Sequence, residues 1–203
     1  QDQLGYFDVG VGVDPTTHLP FDHVTPFAPE PAFFTQLTAI GFYLQILGEV
    51  SRGRLQNGMS REQALREIET VLAALANLQS DPSKSHNGLL YNFYDLRPAI
   101  QPQAGSVIAF GDNANLSQSV AILIGILESL KSLAGLSALS APELALVNDL
   151  INGGEGFLGG QRAGYTQFYD SAVGRFHRVF DPRQGASGAF SGHMDRLGNE
   201  FRS

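Results

Sequence analysis

The sequence predicts an all-α fold in which helical hairpins stand in two layers, an inner and an outer one, as in a toroid or a helical solenoid. Three observations lead there. Two long stretches carry apolar residues at helical spacing yet hold almost no charge, which suits helices enclosed by neighbours. Each is followed by a second helical stretch whose charges keep to one face. Short aromatic segments bounded by turn formers lie between the hairpins and read as β-hairpin insertions.

Taken in order, residues 1–31 form an N-terminal arm with little periodicity and with Pro15, Pro20, Pro26, Pro29 and Pro31. Asp14, His18, Asp22 and His23 lie close together there, but their spacing matches no helical or finger-like ligand pattern, so no metal and no other cofactor is expected. From Ala32 to Ser51 the residues Phe33, Leu37, Ile40, Leu44 and Leu47 share one face, and no charge falls between Glu30 and Glu49. This is the first inner helix. Gly53 and Asn57-Gly58 break it, and Ser60 with Gln63 three places on forms a capping box. In the outer helix that follows, Leu65, Ile68, Leu72 and Leu75 make the apolar stripe, and Arg61, Glu62, Arg66, Glu67 and Glu69 are expected on the wet face.

The segment from Gly88 to Asp95, GLLYNFYD, reads as a short strand or extended loop. Gly105 to Leu130 then turns sharply into the second inner helix. Between Asp112 and Glu128 there is no charge; Leu116, Val120, Leu123, Leu127 and Leu130 line one face, and Ile122, Ile124 and Ile126 fill others. Neighbours on several sides are therefore expected. Asp112, Asn113, Asn115, Ser117 and Gln118 crowd its start, where they are expected to cap the helix. After Gly135, Ser140 caps a second outer helix, Pro142 starts it, and Leu144, Val147 and Ile151 are expected to face inward. Thr166 to Asp181 reads as a hairpin turning at Ser171 to Gly174.

Composition narrows the partners. A formal net charge of -7 with no basic block argues against nucleic acid. No apolar run approaches the ~20 residues of a membrane span. Cysteine is absent, so there is no disulfide or thiolate chemistry. The chain opens on Gln1, as a mature chain does after signal removal, though a trimmed one begins so too. Both aromatic segments combine Tyr, Phe and Asp, a composition that suits sugar rings and serves equally well in a core.

Several motifs, in order along the chain, carry a resemblance. Ala39-Ile40-Gly41, Tyr91-Asn92-Phe93-Tyr94-Asp95, Gly111-Asp112-Asn113-Ala114-Asn115-Leu116, Phe168-Tyr169-Asp170 and the stretch from Asp195 to Arg202 resemble the glycoamylase-like family. That family is an (α/α)6 toroid that includes endo-β-1,2-glucanases and domains of cyclic β-1,2-glucan synthases. Ala39 stands where the family has Asn, and Phe93 where it has Trp. The resemblance implies that residues 32–203 form the first half of such a toroid, since the family's ring needs about as much sequence again.

It also implies a glycoside hydrolase or transglycosylase acting on a glucan, with β-1,2 linkage as one option, through two carboxyl groups. Glu200 is then the candidate acid and Asp112 the second catalytic candidate. Tyr91, Asn92, Tyr94, Asp95, Asn115 and Asp195 are candidate sugar contacts. Five residues apart on one helix, Asp195 and Glu200 would point about 140° from each other, so a shared site needs the helix to begin between them, which Gly198 permits. A simple ion pair from Glu200 to Arg196 is the plainer alternative. A secreted or periplasmic setting follows from the same resemblance. The rival expectation is a non-catalytic carbohydrate-binding or self-assembling protein whose uncovered inner helices meet a second chain or further copies.

Overall fold

The computed structural model describes residues 4–23, 32–133, 138–184 and 188–194. Four helices carry its body: α1 (Leu37–Ser51), α2 (Arg61–Ser80), α3 (Phe110–Lys131) and α4 (Ala141–Gln167). Around them run the strands β1 (Phe34–Gln36), β2 (Ser85–His86), β3 (Leu89–Leu90), β4 (Phe93–Asp95), β5 (Gln101–Pro102), β6 (Ile108–Ala109), β7 (Tyr169–Asp170), β8 (Arg175–Asp181) and β9 (Ala189–His193). The antiparallel sheets are β1-β4-β5, β2-β3, and a third in which β6, β7 and β9 all pair with β8. Helical hairpins with β insertions are present as expected, and among the described residues the insertions form three small sheets, more strand than an all-α class implies.

Helix starts fall into two kinds. α2 and α4 open on full capping boxes, Ser60 with Gln63 and Ser140 with Glu143. α1 and α3 have no side-chain cap and continue directly from β1 and β6. α3 begins at Phe110, so Asp112, Asn115, Ser117 and Gln118 stand within the helix and not at its N-cap, and α1 begins at Leu37 rather than Ala32.

The pairing of helices fixes the architecture. α1 and α2 are antiparallel: Tyr43 meets Glu67, and Arg61 Nε donates to the Ser51 carbonyl at 3.1 Å. α3 and α4 are antiparallel as well, with Ser117 against Gln161 and Gly154 against Ile124 and Val120. The two hairpins stand side by side with like helices parallel. Along α1, Gly41 faces Leu116 and Ser119, Gly48 faces Leu123 and Ile126, and Arg52 reaches Ser129. Along α2, Arg66 shares a depression with Glu143, and Gln79 reaches the Phe157 carbonyl. An up-and-down bundle would alternate direction at every contact. Parallel neighbours within each layer are the mark of stacked hairpins, with α1 and α3 in one layer and α2 and α4 in the other.

Glycine sets the spacing within the first layer: a methyl group on Gly41 would lie 2.6 Å from Ser119 Oγ, so α1 and α3 touch backbone to side chain. Between the layers, Leu37, Ile40, Leu44, Leu65, Ile68, Leu75, Leu116, Val120 and Leu123 form one continuous core with Val147 and Leu150. The segment before residue 32 contributes to it, since Val13, Leu19 and Phe21 are buried there.

Three expectations about faces need correction. α3 is packed against α1 and α4, but Ala121, Ile122 and Gly125 are exposed, Ile122 by 41%. It is an inner helix with one open face, and Phe42 of α1 is open likewise. On α4 the buried stripe runs through Leu146, Leu150, Gly154, Phe157 and Gln161, which leaves Leu144 at its exposed edge. Glu67, expected in solvent, is buried, where it accepts from the Tyr43 hydroxyl at 2.9 Å and pairs with His18 Nδ1 at 2.8 Å.

Candidate functional site

The strands gather at one end of the body because of where they join it. β1 and β6 lead into α1 and α3, whereas β2 to β5 follow α2 and β7 to β9 follow α4. Parallel layers bring the starts of α1 and α3 together with the ends of α2 and α4. Each residue expected to touch sugar that falls within the described residues sits at this end.

Asn113 ties the end together. Fully buried in the first turns of α3, it accepts from the Leu90 amide and donates to the Leu90 carbonyl, both at 2.9 Å, and also donates to the Ala109 carbonyl. Gln161 of α4 donates to the same Asn113 oxygen at 3.2 Å. One side chain thus joins β3, β6, α3 and α4. Asn92 adds a second clip: its amide donates to the Val107 carbonyl at 2.9 Å, and its side-chain oxygen accepts from the Val107 amide at 3.0 Å. These bonds lay Leu90, Tyr91 and Asn92 alongside residues 107–113, next to Asp112.

Asp112 lies half-buried in the first turn of α3, where unpaired backbone amides favour negative charge. Asn115, one turn on, has a buried side-chain oxygen with no hydrogen-bond partner among the described residues. Tyr91 is half-buried, and burial raises its pKa, opposed by nearby Arg183 and reinforced by Asp181. Asp181 itself is held down to about 2, first by the Arg183 side chain and then by the Arg183 amide. It is an ion at any ordinary pH. Asp95 is half-buried and accepts from Gln103 Nε2 at 3.2 Å.

Tyr94 differs from the other expected contacts. It is wholly buried, accepts from the Tyr91 amide at 2.9 Å and donates to the Lys84 carbonyl at 2.6 Å, and burial pushes its pKa up. It positions Tyr91 and cannot itself reach a ligand. Asp195 and Glu200 lie outside the described residues.

The sequence reading missed the far wall of this end. Phe110 packs against Tyr165, Phe168 and Phe176, with centroids 5.5, 5.8 and 4.9 Å away. Ser117 donates to Gln161 and is 2.7 Å from the Tyr165 hydroxyl, whose pKa burial raises to about 12. Beside this network an open pocket of about 390 Å³ is lined by Ser117, Leu158, Arg162, Tyr165, Thr166 and Phe176. Gln161 and Tyr165 lie in a glycine-rich stretch with no clear apolar period, so the helical signal that would have placed them was weak.

The four arm residues weighed as metal ligands do not gather. Asp14 is bound by the Thr16 and Thr17 amides and Arg97, while His18 pairs with Glu67. Among the described residues one group has metal-ligand character, Asp170 with His177 and His193.

No family model and no curated protein matches this chain. Among solved structures it is similar to one named as a "putative glucoamylase" from Bacteroides caccae ATCC 43185, with a TM-score of 0.57 and 16% identity over 91% of this chain. The two share a fold. The match takes in 40% of that protein, so this chain spans less than half its length. The glycoamylase-like reading of the motifs is thereby supported at the level of fold. No described helix is long and apolar enough to cross a membrane.

Proposed function

We propose that this chain forms part of a glycoside hydrolase acting on a glucan, with its sugar cleft at the end where α1 and α3 begin. What supports this reading is that Tyr91, Asn92, Asp112 and Asn115 lie at one end of the body, the end where Phe110, Tyr165 and Phe176 also cluster, on a fold shared with a protein named as a "putative glucoamylase". Aromatic faces stack on the C–H faces of sugar rings, and carboxylates and amides take the hydroxyls.

In this reading Glu200 protonates the leaving glycosidic oxygen, and Asp112 is the second carboxyl, activating water or attacking the anomeric carbon. Asp195 joins Tyr91, Asn92, Asp95 and Asn115 in binding hydroxyls, and Tyr94 holds Tyr91 in place. Asp181 is already ionised and bound to Arg183, so it does not serve as the acid. β-1,2-Glucan is the first substrate to try, and a secreted or periplasmic setting fits a polymeric glucan. The test is turnover of β-1,2- and other glucans by wild type, Glu200→Gln and Asp112→Asn. A fall of about 10²–10⁴ is expected for removal of a general acid; unchanged turnover in Glu200→Gln removes that assignment.

The open faces of α1 and α3 favour a second element of the proposal. Phe42 and Ile122 are 56% and 41% exposed, and we infer that further helices of the same scaffold cover them, from this polypeptide, another chain or another copy. Native mass set beside denatured mass checks this. Self-association without glucan cleavage would favour a binding or assembly role.

A further inference from the structure

Three side chains on three paired strands meet at the edge of the β end. β8 lies between its partners, with Asp170 of β7 opposite Arg175 and His193 of β9 opposite His177. Asp170 is therefore one diagonal step from His177, a separation that side chains span. Asp170 Oδ2 lies 3.0 Å from His193 Nε2 and 3.9 Å from His177 Nε2. The two imidazoles stack with centroids 4.7 Å apart. One ligand atom from each of the three residues falls within 4.8 Å of the others, and no other group of described residues does this.

His177 is the member that the protein leaves unsatisfied. Its Nε2 is beyond hydrogen-bond distance of Asp170, and its Nδ1 is buried with no partner among the described residues. Stacking on Phe190 at 4.8 Å and on His193 fixes the ring instead. The ring is thus held in place by stacking while its Nε2, facing Asp170, carries no hydrogen bond among the described residues and is left to take a ligand.

We propose that Asp170, His177 and His193 bind a divalent transition-metal ion of the zinc class. Two imidazoles and one carboxylate suit Zn²⁺ and its first-row neighbours, whereas Mg²⁺ and Ca²⁺ prefer shells of oxygen. Metal–ligand bonds of roughly 2.0–2.2 Å set the ligand atoms of a tetrahedral ion about 3.3 Å apart. Asp170 and His193 stand near that spacing already, at 3.0 Å, and His177, at 3.9 Å from Asp170, closes on both partners when the ion binds. The side chains of His177, Asp170 and His193 are 19%, 23% and 31% exposed, open enough to admit an ion and a water in the fourth position. Bound there, the ion clips both β7 and β9 to β8. This inference is independent of the glycosidase reading and stands or falls without it.

The test uses the untagged chain, treated with chelator and titrated with Zn²⁺ and Co²⁺. One ion per chain, a visible Co²⁺ d–d absorption displaced by Zn²⁺, and a raised melting temperature are expected, with no response to Mg²⁺ or Ca²⁺ at the same concentration. His177→Gln and His193→Gln should each weaken Co²⁺ binding by 100-fold or more, beyond the ~10–100-fold of losing an outer partner. His86→Gln should leave it unchanged. X-ray absorption of the Zn²⁺-loaded wild type gives the ligand count without any variant, and two imidazoles with oxygen donors are expected. Absent or non-saturable binding, equal binding in His177→Gln, or a shell lacking two imidazoles overturns the proposal.

Discussion

The helical body and the β end are built on opposite principles. Between the helix layers, Leu44, Leu75, Leu123 and Val147 are wholly enclosed, and position is set by how apolar side chains fill space. At the β end a second, small cluster of Leu89, Ile108, Phe168 and Phe180 is ringed by partly exposed aromatics. There, position is set by directed bonds from Asn113, Asn92 and Tyr94. Packing tolerates sequence change if volume is kept, but directed bonds do not. A site that must hold donors and acceptors in register belongs where bonds, not volumes, fix the geometry.

The comparison can be broken most directly in the body. Leu123→Ala should cost about 3–5 kcal/mol by urea unfolding, since a cavity opens against Gly48 and the core between the layers. A cost under about 1 kcal/mol would mean that the layers are not packed as described. Asn113→Ala should cost about 2–3 kcal/mol, because it strands the Leu90 amide and carbonyl in the interior. Its signature is a loss of tyrosine near-ultraviolet dichroism at lower urea than the loss of helical signal; coincident transitions would show that body and β end are not separable.

Asp14 gives a smaller, pH-dependent test. Burial pushes its pKa up, but the Thr17 and Thr16 amides, Arg97 and the Thr17 hydroxyl outweigh burial and hold it below its ordinary value. Its contribution is therefore complete above the unfolded value of about 3.9 and drains away as pH falls through the lower folded value. Asp14→Asn should cost about 1–2 kcal/mol at neutral pH, since Asn keeps an oxygen for the Thr16 and Thr17 amides but loses the charge that strengthens those bonds and turns a donor toward Arg97. The difference between wild type and variant should shrink as pH falls below the unfolded value, and a gap that does not narrow in acid would contradict this. Least affected should be Leu144→Ala, within about 0.5 kcal/mol, as Leu144 is 40% exposed on the outer helix α4.

What could be read from sequence follows the same divide. Inner and outer helices were legible because Leu116 to Leu130 and Leu65 to Leu75 repeat at the helical period, and the Ser60 and Ser140 boxes are local signals. The hairpin turn at Ser171 to Gly174 was legible for the same reason. The burial of Glu67 was not, because it depends on Tyr43 and on His18, 49 residues away. Nor was the inward turn of Asn113, which answers a carbonyl 23 residues back. Asp112, Tyr91 and Asn92 entered through resemblance to a family pattern and not through any period. Asp170, His177 and His193 form a set only because β8 pairs on both sides.

Helix α4 carries six glycines in 27 residues. Gly154, Gly160 and Gly164 let it lie close to Ile124, Gln79 and Leu89. Each also weakens the helix by about 1 kcal/mol relative to alanine, so α4 has little tendency to exist alone. Its amides are expected to be protected from exchange with solvent only while α2, α3 and β3 hold it, and to open together when those contacts go.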